Sequence, residues 1–283
     1  MDIEQKIQNR LSSGGDIHGV VRPDLPEAHP WFQFGSARVA AKQISSSEME
    51  TQSDGSLRAS TCGSIQEFEK TLQEATCLRV ETVAAQLRSR KEICRRLVAS
   101  AQRVDGCGCG GSLLLVSGGD PLRKLPLVEP LLLANSLEML RTSTRLREAG
   151  DIPAGVQLWA VENPLANSVE RLEQKIDAGA ETLILQPPLL TDRFGEWWDA
   201  ARTRGLLQAA RVVVGLPFIT SAKNLAFWFK LTETSGEQVE AKLKHLKMIE
   251  DEHEGDNTGL AAYYEQETRC LLDYVKSLPG KSF

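Results

Sequence analysis

Residues Leu113-Leu114-Leu115-Val116 form an apolar run without alternation, closed by Ser117-Gly118-Gly119-Asp120-Pro121. A strand with one face in water alternates polar and apolar side chains, whereas a strand covered on both faces need not. This run therefore predicts a fully buried parallel strand. The glycine pair lets the backbone approach a ligand that a Cβ would repel. Asp120 then falls at the strand's carboxyl end, where α/β proteins bind their ligands. Taken alone, the same Gly-Gly-Asp-Pro is also an ordinary turn.

Around this strand the pattern repeats. From residue 65 onward the periodicity predicts a helix at 65–75, a strand at 78–85 and a helix at 89–102 with Ile93, Leu97 and Ala101 on one face. After the Leu113 strand come helical residues near 126–148, a strand at 155–161, and a helix at 168–178 closed by Gly179. Next are a strand at 182–185, a helix at 193–208, a strand at 211–216 and a helix at 221–231. Consecutive strand-helix units at this spacing imply a parallel sheet. Its commonest form is a (β/α)8 TIM-type barrel, and a doubly wound open sheet is the alternative. Residues 1–30 read as an irregular N-terminal extension with a short apolar piece at Ile17 to Val21, and 31–283 as a single (β/α) barrel domain. The first two strands are weak: Trp31-Phe32-Gln33-Phe34 is short and 44–64 is polar.

The bulk properties exclude several classes. A net charge of −5 with no basic cluster interleaved with aromatics argues against nucleic acid. No apolar run reaches the roughly 18 residues of a membrane span, and no targeting segment is visible at the start. Six cysteines in 283 residues suit a reducing compartment, cytoplasm or organellar matrix. Cys107-Gly108-Cys109 cannot complete a four-ligand metal site, and the four histidines show no ligand spacing, so no metal is expected.

The strand tips supply the candidate site: Ser117 to Asp120, Glu162-Asn163-Pro164, Gln186-Pro187-Pro188 and Pro217-Phe218-Ile219-Thr220. They hold one carboxylate placed to handle protons and two amides suited to a heterocycle, with no thiol, histidine or base-activated hydroxyl. An organic cofactor would have to carry any difficult chemistry.

Four segments, Val116-Ser117-Gly118-Gly119-Asp120-Pro121, Arg171 to Ala180, Ile184-Leu185-Gln186-Pro187 and Ile219 to Leu225, occur in the order and spacing of methylenetetrahydrofolate reductases. Over about 78–280 the chain resembles that family, a flavin-binding (β/α)8 barrel. The resemblance implies hydride transfer from NADH or NADPH through FAD to a folate one-carbon carrier. It implies that Asp120 is the catalytic acidic residue near the flavin and the pterin. Ser117, Gly118, Gly119, Asn163 and Lys175 would contact the cofactor, with Lys175 on the FAD phosphates, and Gln186 and Phe218 would contact the folate. A lysine is a suitable point charge for a pyrophosphate, and a glutamine amide can pair with a pterin edge. Without the resemblance, Lys175 reads equally well as part of a solvated helix face and Gln186 as a polar residue facing a barrel interior.

The chain also departs from the family. The position of the acid-supplying glutamate is best matched by Gln33, that of a histidine by Val83, that of an aromatic before proline by Asn163, and that of a stacking aromatic by Ala222. An amide cannot protonate a bridging nitrogen. Two readings stay open: a methylenetetrahydrofolate reductase-like flavoprotein, or a catalytically inactive barrel serving as a structural or interaction subunit, as a homo-oligomer or in a larger assembly. The residues after Lys276 are too few to cross a barrel wall at about 3.3 Å each. An incomplete seam at strand eight is therefore expected, filled by Ile17 to Val21 or by a partner chain.

Overall fold

The computed structural model describes residues 19–22, 78–85, 88–105, 111–117 and 135–280. Chain contacts divide into two compact units, Met1–Glu81 and Thr82–Phe283. In the first, β1 (Gly19–Arg22) runs parallel to the opening residues of β2 (Leu78–Ala84), with Gly19 opposite Leu78 and Arg22 opposite Glu81. Of the N-terminal apolar piece at Ile17 to Val21, residues 19–21 thus lie in a strand whose described partner is β2. The expected boundary at 30/31 and the expected strands at 31–34 and 44–64 lie outside the described residues.

The second unit alternates strand and helix. After the end of β2 come α1 (Arg90–Asp105), β3 (Gly111–Val116), α2 (Ser136–Glu148), β4 (Gln157–Glu162), α3 (Val169–Asp177), β5 (Thr182–Leu185), α4 (Thr191–Thr203), α5 (Leu206–Ala209) and β6 (Arg211–Val214). Strands β2 to β6 neighbour one another in chain order, and β3 to β6 pair parallel. This is a parallel α/β sheet with its crossover helices.

Register sets which face each side chain takes. Leu113 pairs with Leu158 and Leu115 with Ala160, while Ala160 pairs with Leu183 and Glu162 with Leu185. Registered partners in parallel strands point to the same face. The apolar members of this set belong to the buried core, together with Ile93, Leu97 and Ala101 of α1, Leu140 of α2, Leu172 of α3 and Phe194 of α4. Burying each leucine contributes roughly 1.5–3 kcal/mol. The other face carries Leu114, Trp159, Thr182, Ile184 and Val213 in register.

Three boundaries differ from the sequence expectation. The helix expected at 193–208 is two helices, because Gly205 takes φ 74°, a left-handed conformation that ends α4 and that glycine adopts without strain. The strand expected to reach residue 216 ends at Val214. Glu162, read as part of a strand tip, is the last residue of β4, and its side chain faces the helical layer.

After β6 the chain adds α6 (Ala222–Leu231), α7 (Glu237–Glu252) and α8 (Asn257–Ser277), and among the described residues no strand follows Val214. Instead α8 returns to α4. The Tyr274 hydroxyl donates to the Thr191 carbonyl at 2.7 Å, Trp198 Nε1 donates to the Pro279 carbonyl at 3.0 Å, and the Tyr274 ring meets Phe194 edge-on at 6.3 Å. Gly195 allows the approach, since a Cβ there would stand 3.0 Å from the Tyr274 hydroxyl oxygen.

At the other end of α8, the Tyr264 hydroxyl donates to Glu250 Oε1 of α7, which also accepts the Ala222 amide at the start of α6, both at 2.8 Å. The chain's three tyrosines, Tyr263, Tyr264 and Tyr274, all lie in α8. Burial pushes each hydroxyl above the usual tyrosine value. The neighbouring Glu267, Glu250, and Asp192 with Asp199 add to the shift, in that order of residue. A tyrosine whose folded pKa is raised keeps its proton while the unfolded chain loses it. Stability is therefore unaffected below about pH 10 and falls as pH rises beyond that. Tyrosinate absorbance is expected to appear only above pH 10 and in step with loss of helical circular dichroism. Titration of even one tyrosine near its ordinary value in the folded protein would contradict this.

Candidate functional site

The carboxyl ends of β3, β4, β5 and β6 place the sequence-predicted residues. Ser117 follows β3, and its Oγ accepts the Ser136 amide at 2.8 Å while Asn135 Oδ1 accepts the Glu138 amide at 3.0 Å. Both bonds satisfy orphan donors of the first turn of α2. Ser117 thus acts as a cap joining the tip of β3 to α2. Gly118, Gly119 and Asp120 lie outside the described residues.

Asn163, just past β4, is spent on backbone. Its Nδ2 donates to the Thr232 carbonyl at the end of α6, and its Oδ1 accepts the Leu165 amide at 3.1 Å. The amide therefore ties the β4 tip to α6 and holds its own turn, with both its nitrogen and its oxygen engaged.

Lys175 lies neither on a solvated helix face nor in open reach of a ligand. It sits on the buried stripe of α3 with Val169 and Leu172, 4% exposed. Its Nζ donates to Glu162 Oε2 at 2.7 Å and to the Val161 carbonyl at 2.6 Å. Glu162 is fully buried, and its Oε1 accepts the Asn163 amide at 2.8 Å and Asn167 Nδ2 at 2.6 Å. Burial pulls the lysine below its ordinary pKa, and the adjacent Glu162 opposes this. The carboxylate is saturated by three donors, as a buried charge requires.

This geometry tests the implied flavin contact. To meet a pyrophosphate, Lys175 would have to leave Glu162. Stripping one partner from a buried ion pair costs about 3–5 kcal/mol. Asn163 is equally committed. The described residues therefore do not fit the cofactor role that the resemblance gave Lys175 and Asn163.

Gln186 differs from these residues. Its backbone amide donates to the Glu162 carbonyl at 2.8 Å, tying the β5 tip to β4. Its half-buried side chain follows Ile184 by two residues, onto the face away from the helices. Among the described residues that side chain meets no hydrogen-bonding partner. Phe218, beyond β6, is 80% exposed. Of the candidates, the structure joins Asn163, Lys175 and Gln186 through Glu162 and leaves Phe218 apart from that network.

Glu162 was read only as part of a strand tip, with no role of its own. Its signal was present in the sequence, because a carboxylate in step with Leu158 and Ala160 on a core-facing period needs a buried cation. Among the described residues no group of three or more His, Cys, Asp or Glu gathers as metal ligands. Among them, too, no helix is long and apolar enough to cross a membrane.

No protein-family model matches the chain, and no curated protein sequence matches it. Among solved structures, it superposes on an uncharacterized protein from Clostridium thermocellum that binds two copies of 5-methyl-5,6,7,8-tetrahydrofolic acid. The TM-score is 0.46 at 15% identity, over 98% of this chain and 78% of that one. It also superposes on 2,3-dimethylmalate lyase, a PEP mutase/isocitrate lyase superfamily member, with TM-score 0.37 at 11% identity, over 75% of this chain and 70% of that one.

Proposed function

We propose that the chain is a methylenetetrahydrofolate reductase-like protein that binds a folate-type small molecule at the carboxyl ends of its strands, without FAD-mediated hydride transfer. In this reading the parallel sheet is the remnant of a TIM-type barrel. The observation that carries it is the contrast at the β4 and β5 tips. Gln186 faces away from the helices with an uncommitted amide, while Lys175 and Asn163 are held in internal bonds. An amide can match the donor-acceptor edge of a pterin, whereas Lys175, the cation that the resemblance placed on the pyrophosphate, is held by Glu162.

Calorimetric titration of the purified full chain with 5-methyltetrahydrofolate tests this. Saturable binding is expected, weakened about tenfold by Gln186→Ala, the size of one or two lost hydrogen bonds. The preparation should show no visible flavin band. Absent binding, or wild-type affinity in Gln186→Ala, would overturn the folate assignment. Stoichiometric flavin on the purified protein would overturn the non-flavin one.

A second reading, the interaction subunit, is favoured by the end of the sheet. There Val213 (41%), Leu216 (36%) and Phe218 (80%) are exposed, and β6 pairs with β5 alone among the described residues. Unpaired strand edges beside apolar side chains are templates for another chain. The mass in solution by light scattering separates the two readings.

A further inference from the structure

At the opposite, amino-terminal ends of β4, β5 and β6 lies a cleft of about 490 Å³, within the range of small-molecule sites. Its lining includes Arg147, Gln157, Gly179, Glu181, Thr182 and Arg211. Thr182 opens β5 and stands in register with Trp159 on one side and Arg211 on the other, so the three share a face. It is fully buried, and its Oγ1 has no hydrogen-bonding partner. An orphaned buried hydroxyl costs about 1–3 kcal/mol unless something pairs with it.

The charges of the cleft do not cancel. Glu181 Oε2 accepts Arg147 Nη1 at 3.0 Å and the Leu158 amide at 2.7 Å, so its charge is neutralised in place. Arg211 is exposed and meets no carboxylate among the described residues. Trp159 Nε1 donates to Gln157 Oε1 at 3.2 Å, which fixes that amide with its NH2 group free to donate. Gly179, at φ 104°, leaves the wall without a Cβ, and a Cβ there would strike Thr144 Oγ1 at 2.3 Å. The Arg211 guanidinium fork and the Gln157 amide NH2 border one polar space. Arginine in such a setting suits the planar or trigonal oxygens of carboxylate and phosphate.

We infer that this cleft is a binding site for a small oxyanion-bearing molecule, carboxylate or phosphate, separate from the strand-tip site. Arg211 supplies the charge, and Gln157 supplies orientation. Titration of the full chain with inorganic phosphate and, separately, with citrate, at ionic strength matched by sodium chloride, tests it. Saturable binding of at least one is expected. The anion that binds tells whether the natural ligand presents phosphate or carboxylate. Arg211→Gln is expected to weaken that binding at least tenfold and Gln157→Ala at least threefold. Arg204→Gln, at an exposed arginine paired with Glu170 and Glu173, should bind as the parent does. Binding of neither anion, or undiminished binding in Arg211→Gln, would overturn the assignment.

Discussion

Replacing Lys175 with methionine is expected to lower stability by about 3–5 kcal/mol, a large fraction of the total for a typical domain. The methionine fills much of the volume but leaves Glu162 Oε2 without a cation inside the helical layer, its Oε1 still bound by Asn163 and Asn167. Combining Lys175→Met with Glu162→Gln should recover most of the loss, since replacing a whole buried pair by neutral groups is often near neutral. Urea unfolding of the parent, the single variant and the double variant measures both effects. A loss below about 1 kcal/mol would mean that the pair does not hold β4 to α3, and the flavin role for Lys175 would reopen.

The second large effect is expected at Phe194, which is fully buried where α4 meets α8. Its ring stacks on Trp198 at 6.1 Å and meets Trp197 at 6.4 Å and Tyr274 at 6.3 Å. Phe194→Ala should cost about 3–5 kcal/mol through lost burial and the cavity left behind. It should act beyond its own helix, because the Tyr274 and Trp198 hydrogen bonds that seat α8 depend on that ring's position. Amide exchange in α8 is expected to accelerate before exchange in β3 and β4 does. Equal acceleration everywhere, or a loss under about 1 kcal/mol, would show that α8 is held by other contacts.

Much of the fold was legible because the signals are local. The unbroken Leu113 run announced a strand buried on both faces, and β5 begins and ends where the apolar Thr182-Leu183-Ile184-Leu185 segment does. Helix α1 buries Ile93, Leu97 and Ala101 as their spacing required. The break at Gly205 was less legible, since an isolated glycine in a helical pattern is tolerated as often as it terminates.

The candidate site was legible only in part. Lys175 was singled out by the resemblance alone, and its direction was not legible. Three residues after Leu172 it falls on the apolar stripe of α3, a position that forces a lysine inward if a carboxylate waits there and outward otherwise. That carboxylate is Glu162, and it is available because β4 runs in a register that turns it toward the helices. The same limit hid the cleft at the other end of the strands, where Thr182 and Arg211 are distant in sequence and adjacent only across β5 and β6. Periodicity, apolar runs and caps act within a few residues, so the sequence by itself determined that this chain builds alternating parallel strands and covering helices. Which lysine meets which acid, which amide is spent on backbone and which is left for a ligand depends on contacts between elements. Those follow from crossover and register, and the tertiary structure alone decided them.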